Sequence, residues 1–338
     1  MVNGRTSHGG RQEAAQRIVA PVAAGLLLLV TLLALIGTAI RDPKPHDIAV
    51  GLVGPAQATS QISGAFAQNA PGVFDFTTYS SEADARTAID NRDVDGALVI
   101  GGGGPKLIVA GAAGDTSVGV MTAAFTNVFK AQGATLQVET VHPFAAGDAH
   151  GLILFFVIVA VIISTLIAQV VLFTLAASAG AAPRIGVAVV YAVLSGLTAM
   201  GLATWIAGDF GGDFWTATGL VMLASAAVGL AVAGFARLFG RAGIALAVLV
   251  VVLLDLVSSG GPGGSQILPE FYRALAPWMP APQLFSALRG ALYFNDAGIA
   301  TPTAVLAAWT AGGLVLVGLG GLVRRRRPVA APQVAPAH

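Results

Sequence analysis

Few residues in this chain stand in an arrangement that could do covalent chemistry. Gly101-Gly102-Gly103-Gly104-Pro105-Lys106 has the glycine content of a phosphate-cradling loop. It lacks the Gly-Lys-[Ser/Thr] ending, and no helix follows it whose N-terminus could hold phosphate, so it reads as a turn between two strands. Gly111-Ala112-Ala113-Gly114 is weaker still. The histidines, His8, His46, His142, His150 and His338, lack metal-ligand spacing, and the serines and histidines are too scattered for a triad. No Walker A motif occurs in the 338 residues, which closes the P-loop route to ATP hydrolysis. Without cysteine there is no disulfide framework and no thiolate site. The expectation is a non-enzyme with no catalytic, cofactor-binding or metal-binding residues and no cofactor of its own.

One carboxylate is out of keeping with its surroundings. Asp255 lies inside an apolar run, where an aspartate costs about 2.5–3.5 kcal/mol on insertion scales and is often functional. It sits about 20 Å above Ala242 at 1.5 Å per residue, in the outer third of the run. It reads either as a functional group or as a snorkelling, loop-adjacent carboxylate beside the Gly-rich segment that follows. Asp148 and His150, before the second apolar run, read as a solvated boundary.

The elements that must hold such residues are mostly membrane spans. Charged residues make up 10% of the chain and hydrophobic residues 55%. A soluble domain carries about 25% charged residues, so a bilayer is the natural solvent. A crossing needs about 20 apolar residues. Candidates are Ile18–Ile40, Gly151–Ala176, Ile185–Ala207, Trp215–Phe235, Ala242–Ser258 and Thr303–Val323. The first is too long for a signal-peptide core and lacks a clean cleavage site, so it reads as a retained anchor. Gly, Ala and Val dominate the spans, which suits close helix packing.

Residues 41–148 differ. They hold six Lys/Arg and eleven Asp/Glu, and their apolar runs are short. Strands are expected at 47–53, 74–79, 95–100, 106–110 and 136–141, with helices near 60–69, 81–91 (Ser81 as cap) and 116–132. Alternating strands and helices predict a small α/β domain. The segment 260–296 is too polar and too rich in proline to span. It reads as re-entrant or interfacial helices, with Tyr272, Trp278 and Tyr293 at headgroup level.

Placing the N-terminus in the cytoplasm puts Arg5, Arg11, Arg17, Arg184, Arg237, Arg241, Arg324, Arg325, Arg326 and Arg327 on one side, with Glu13 the only acid among them. By the positive-inside rule this partition predicts six spans with both termini cytoplasmic and residues 41–148 outside. Residues 1–17 are then an N-terminal cytoplasmic segment, and 324–338 a basic cytoplasmic tail. The Arg324–Arg327 run follows a span directly, so it reads as a topology anchor and not as a nucleic-acid patch. Arg11–Arg17 reads equally as a short surface amphipathic helix or as a frayed tail.

The order of one helix, an external α/β domain and then five helices resembles the permease subunits of type-2 ABC exporters. More specifically, it resembles the phage-infection-protein (YhgE/Pip) and DUF3533-like branch. Residues 79–100 are similar to that branch's external segment. Leu268-Pro269-Glu270-Phe271-Tyr272-Arg273-Ala274-Leu275-Ala276-Pro277-Trp278-Met279-Pro280, with Leu288-Arg289-Gly290, is similar to its segment before the last helix. The resemblance implies a homodimeric permease of a bacterial plasma membrane that moves a hydrophobic or amphipathic substrate outward. Its ATP would bind a separate cytoplasmic ATP-binding-cassette ATPase, which would contact the N-terminal segment and the 180–184 loop. The residues expected to serve transport or gating are Asp255, Pro269, Tyr272, Arg273, Pro277, Pro280 and Arg289. The competing expectation is a non-transporting scaffold or surface receptor that acts through its external domain.

Overall fold

The computed structural model describes residues 7–325 apart from 42, 177 and 178. The chain divides into two compact units, Met1–Pro43 and Lys44–His338. The first contains α1 (Ser7–Ile40), a helix of 34 residues. Its backbone takes in residues 11–17, so this stretch is neither a separate surface helix nor a frayed tail. The described apolar stretch of α1 is Gly25–Ile40. The side chains of Arg17, Arg324 and Arg325, and all of Arg5, Arg326 and Arg327, lie outside the described residues.

The second unit begins with the α/β fold. Its elements are β1 (Ile48–Val53), α2 (Ala56–Asn69), β2 (Phe74–Tyr79), α3 (Glu82–Asp90), β3 (Gly96–Gly101), β4 (Gly104–Ala110), α4 (Asp115–Ala131) and β5 (Gln137–Val141). The sheet order is β2-β1-β3-β4-β5. Only β3 and β4 pair antiparallel, through the glycine turn that superficially resembled a phosphate loop. Ser81 caps α3 by accepting a hydrogen bond from the Asp84 N–H at 3.1 Å.

The sheet is covered on both faces, as alternating strands require. On one face Phe125 of α4 lies against Phe66 and Phe74, at centroid distances of 5.2 and 5.7 Å, over Val50, Leu98 and Val109. On the other face Ala85, Ala88 and Ile89 of α3 join a hydrophobic core that runs on without a break into the apolar helices. That continuity is why the sheet and the helices form one unit.

Among the described residues of this unit, five helical stretches are long and apolar enough to cross a bilayer. They are α5 (Leu152–Leu175), α6 (Ala181–Ala207), α7 (Phe214–Phe239), the composite Arg241–Ser258, and α12 (Ala300–Arg325), whose apolar part is Ala300–Leu322. The chain is therefore membrane-embedded. Helix α7 is the central one and packs against α5, α6, α12 and a shorter helix described below. Small residues permit the close approach: a Cβ at Gly313 of α12 would lie 2.7 Å from the Ala231 nitrogen.

The composite span departs from the uniform helix that its composition predicts. It consists of α8 (Arg241–Ala247), a π-helical stretch at Val248–Leu254, and α9 (Asp255–Ser258). After the glycine turns come α10 (Glu270–Leu275) and α11 (Pro280–Tyr293). Helix α6 also starts earlier than predicted, so residues 181–184 are its first turn and not part of a loop.

Truncating Phe125 to alanine should destabilise the α/β fold by about 3–5 kcal/mol. Hydrogen exchange on the full chain should show amides of β1, β3 and β4 losing protection. Unchanged protection would refute the assignment of Phe125 as keystone of this core.

Candidate functional site

The segment between the composite stretch Arg241–Ser258 and α12 brings together most of the residues singled out in the sequence. Gly260 adopts a left-handed conformation with φ 69° and reverses the chain after α9. A Cβ there would lie 1.9 Å from the Gly264 carbonyl oxygen, so the reversal depends on glycine. The prolines stand at helix starts. Pro269 is the N-cap position of α10, Pro277 lies in the 3-10 turn 276–278, and Pro280 is the first residue of α11. Proline suits these positions because its missing N–H would have no intrahelical partner there.

Asp255 is fully buried, at 0% exposure, so it does not snorkel. Its Oδ1 accepts a hydrogen bond from the Ala281 N–H at 2.6 Å. It thus supplies from another helix the side-chain acceptor that α11 lacks in its own sequence, where Met279 gives no side-chain cap. Oδ2 of Asp255 and the Ser258 hydroxyl have no hydrogen-bond partner.

The α/β fold grips the same segment from the other side. Arg273 of α10 pairs with Asp47 at 2.7 Å. The Gln266 carbonyl accepts from the His46 N–H at 3.0 Å. The Gln266 side chain accepts from the Ser117 hydroxyl at 2.7 Å and donates to Asp95 at 3.4 Å. Arg289 of α11 donates to the Ala113 carbonyl at 2.7 Å, with its guanidinium 4.2 Å from the Phe285 ring centroid. Arg92, just past the end of α3, donates to the carbonyls of Ser286 at 3.0 Å and Ala297 at 3.2 Å, and to the Ser286 hydroxyl at 3.2 Å. Arg92 holds a positive φ of 64°, which an arginine adopts only where its surroundings enforce it.

Burial dominates the electrostatics of this junction. Loss of solvent raises the Asp95 carboxyl above its ordinary range, although Gln266, Arg289 and Arg92 pull it back. Burial lowers Arg92, with Asp95 opposing, and brings Arg289 down to about 10, still protonated at neutral pH. A folded-state value raised at Asp95 means its contribution is fully present below the unfolded value and is lost as pH rises through the folded one.

Several expected placements are corrected. Tyr272 and Tyr293, expected at headgroup level, are 4% and 8% exposed. Trp278 is exposed as expected, and its carbonyl accepts from the Trp309 indole at 2.7 Å. Asp148 is buried, not solvated: both its oxygens accept from the Ile153 N–H at 3.1 Å, at the start of α5. His150 is exposed and lies 3.3 Å from Asp115. Arg184 is buried and donates to the carbonyls of Ala176 at 2.9 Å and Ala179 at 3.2 Å, so it braces the end of α5. Arg237 is half-buried near the same Ala179 carbonyl, at 3.5 Å, and Arg241 opens α8.

Arg92, Asp95, Ser117, Gln266 and Ser286 were missed in the sequence. The one local signal was a charged run, Arg92-Asp93-Val94-Asp95, directly after a capped helix. Nothing in it points to a partner 194 residues away. Among the described residues, no group of three or more His, Cys, Asp or Glu could hold a metal ion.

Fold and site together define a membrane-embedded helical protein whose α/β fold is fastened to a buried helix too short to cross. Compared with family models, curated proteins and solved structures, the chain matches none.

Asp255→Asn retains an acceptor for the Ala281 N–H, whereas Asp255→Leu leaves that N–H buried and unpaired, at a cost of about 1–3 kcal/mol. Thermal unfolding in maltoside should therefore show the leucine variant clearly less stable than the asparagine variant. Equal stability would refute the capping role.

Proposed function

We propose that this chain is the permease subunit of a type-2 ABC exporter, acting as a homodimer in a bacterial plasma membrane. In this reading α1 is a sixth span, both termini are cytoplasmic, and the α/β fold faces outward. A separate cytoplasmic ATPase supplies the energy, and the substrate is hydrophobic or amphipathic. The supporting observation is the pair of short helices α10–α11 before the last helix, of which α11 is largely buried, where the resemblance expects a specialised segment. Asp255 holds α11 at its start, and Arg92 and Arg289 tie it to the α/β fold. A change in the membrane helices would thereby reach the α/β fold through one short helix. The arginine partition supports the orientation. Because Arg184 is committed to the end of α5, ATPase contact falls to the N-terminal segment and to Gly180, which is exposed.

Absence of native cysteine makes the orientation directly testable. Single cysteines introduced as Thr78→Cys and Gln12→Cys should behave oppositely. The first should react with a membrane-impermeant maleimide on intact cells, and the second only after lysis. The reverse pattern would overturn the topology.

The transport reading is tested by affinity purification from the native membrane. An ATP-binding-cassette protein should co-purify, and its ATPase activity should rise in the complex. A chain that recruits no ATPase, while a 45–145 deletion loses binding of an external partner, would establish the scaffold or receptor reading instead.

A further inference from the structure

A cleft of about 400 Å³ opens where three distant parts of the chain meet. Its walls are the strap 142–146 that leads from β5 toward α5, the turn 209–211 between α6 and α7, and the end of α11. Backbone hydrogen bonds fix these walls. The Ala112 N–H donates to the His142 carbonyl at 2.8 Å, the Gly147 N–H to the Ala207 carbonyl at 3.0 Å, and the Asp213 N–H to the Ala291 carbonyl at 3.1 Å. The volume lies in the range of ligand pockets, roughly 300–1,000 Å³.

The lining has a definite chemistry. Tyr293 stands between Phe144 and Phe210, at centroid distances of 5.7 and 6.0 Å and near right angles to both. Asp209 is exposed on the rim. Its Oδ1 takes the Gly211 N–H at 2.8 Å, and no cation among the described residues pairs with it. His142 does not balance that charge, because its Nε2 is engaged by Asp90 at 2.7 Å and its ring lies against Phe294. Arg92 and Arg289 at the same end of α11 are taken up by backbone carbonyls. Asp209 is therefore an exposed carboxylate at the rim without a cationic partner among the described residues, which suits an ammonium group arriving from solvent.

Its depth adds a second constraint. The cleft sits where α6 ends and α7 begins, and Trp205 and Trp215 on either side are 81% and 70% exposed. Exposed tryptophans at helix ends mark the headgroup level of a bilayer. A ligand entering here can leave an apolar tail among the lipids while its head meets Asp209.

We propose that this cleft binds the ammonium head of an amphiphile, either a membrane lipid or a free alkylammonium. As a substrate site it rests on the exporter reading, but the binding itself does not. A chain that recruits no ATPase would sink export and leave the cleft untouched.

The test uses the full chain in uncharged maltoside micelles, titrated with dodecylammonium and, separately, dodecyl sulfate, and followed by tryptophan fluorescence. Wild type should bind dodecylammonium saturably and dodecyl sulfate much more weakly. Asp209→Asn, whose amide oxygen can still take the Gly211 N–H, should weaken dodecylammonium binding about tenfold. Asp296→Asn removes the same charge from a nearby exposed position outside the cleft and should leave binding unchanged. The proposal is overturned if dodecyl sulfate binds equally, if Asp209→Asn binds as wild type does, or if Asp296→Asn weakens binding as much. Native mass spectrometry then separates the sources. Phosphatidylethanolamine retained by wild type and lost in Asp209→Asn identifies a lipid, and its absence beside intact dodecylammonium binding identifies a free amphiphile.

Discussion

A helix that begins in an apolar interior exposes N–H groups that nothing in its own backbone can satisfy. In water the solvent meets them, but inside a membrane-embedded fold each unpaired group costs several kcal/mol. Helix α11 begins in such a place, and its own cap residue is Met279, which offers no acceptor. The carboxylate of Asp255 answers that requirement from the neighbouring span. Much of the surrounding geometry serves this one contact. The glycine reversal at 260–264 returns the chain, Pro280 fixes the first turn of α11, and the π-helical stretch directly before Asp255 sets which way that carboxylate faces. A π-turn shifts the register of everything after it, and such turns are found mostly where function needs a side chain re-aimed.

The far end of α11 meets a different requirement. There the helix reaches the α/β fold, and the bonds are made by arginines. Arg289 donates outward from α11 to Ala113, and Arg92 donates inward from the end of α3 to Ser286 and Ala297. Guanidinium suits the task, since it stays protonated when buried and serves several carbonyls at once. The hydrophobic core crosses the same boundary without interruption. The sheet is thus a roof fixed to the helices and not a domain on a flexible stalk.

How much of this was legible follows from the range of each interaction. The strands and helices of residues 48–141 were readable because their signals are local. Phe74 and Phe76 alternate with Asp75 and Thr77, and Ser81 precedes Glu82 and Asp84 as a cap should. The long apolar helices were equally plain from composition. Burial of individual polar residues was not. Asp148, Arg184 and Tyr293 lie next to polar or loop-like sequence, where solvation is the natural reading, and each instead closes off a backbone group, Asp148 and Arg184 at a nearby end of α5 and Tyr293 far along the chain. Asp255 was conspicuous by residue type, yet its partner depended on a chain reversal set by Gly260. Arg92 stood in a charged run that named no partner, because its partners are far along the chain and its strained φ exists only in the folded state.

The two ends of α11 differ in a way that bears on how the fold could move. At its start, one carboxylate holds one N–H, and the contact is set by the rotation of α9. At its end, several arginine bonds and a shared core hold it to the sheet. A perturbation of the Arg241–Ser258 stretch therefore reaches the start of α11 both through that bond and through the packing of Ala281, Leu284 and Phe285 in the shared core. Moving the sheet independently would break the Arg92 and Arg289 bonds and open a continuous core, a far larger cost than releasing one cap. The Asp255 contact is accordingly a polar link between that stretch and α11, and the cleft beside Tyr293 lies at the opposite end of the same helix.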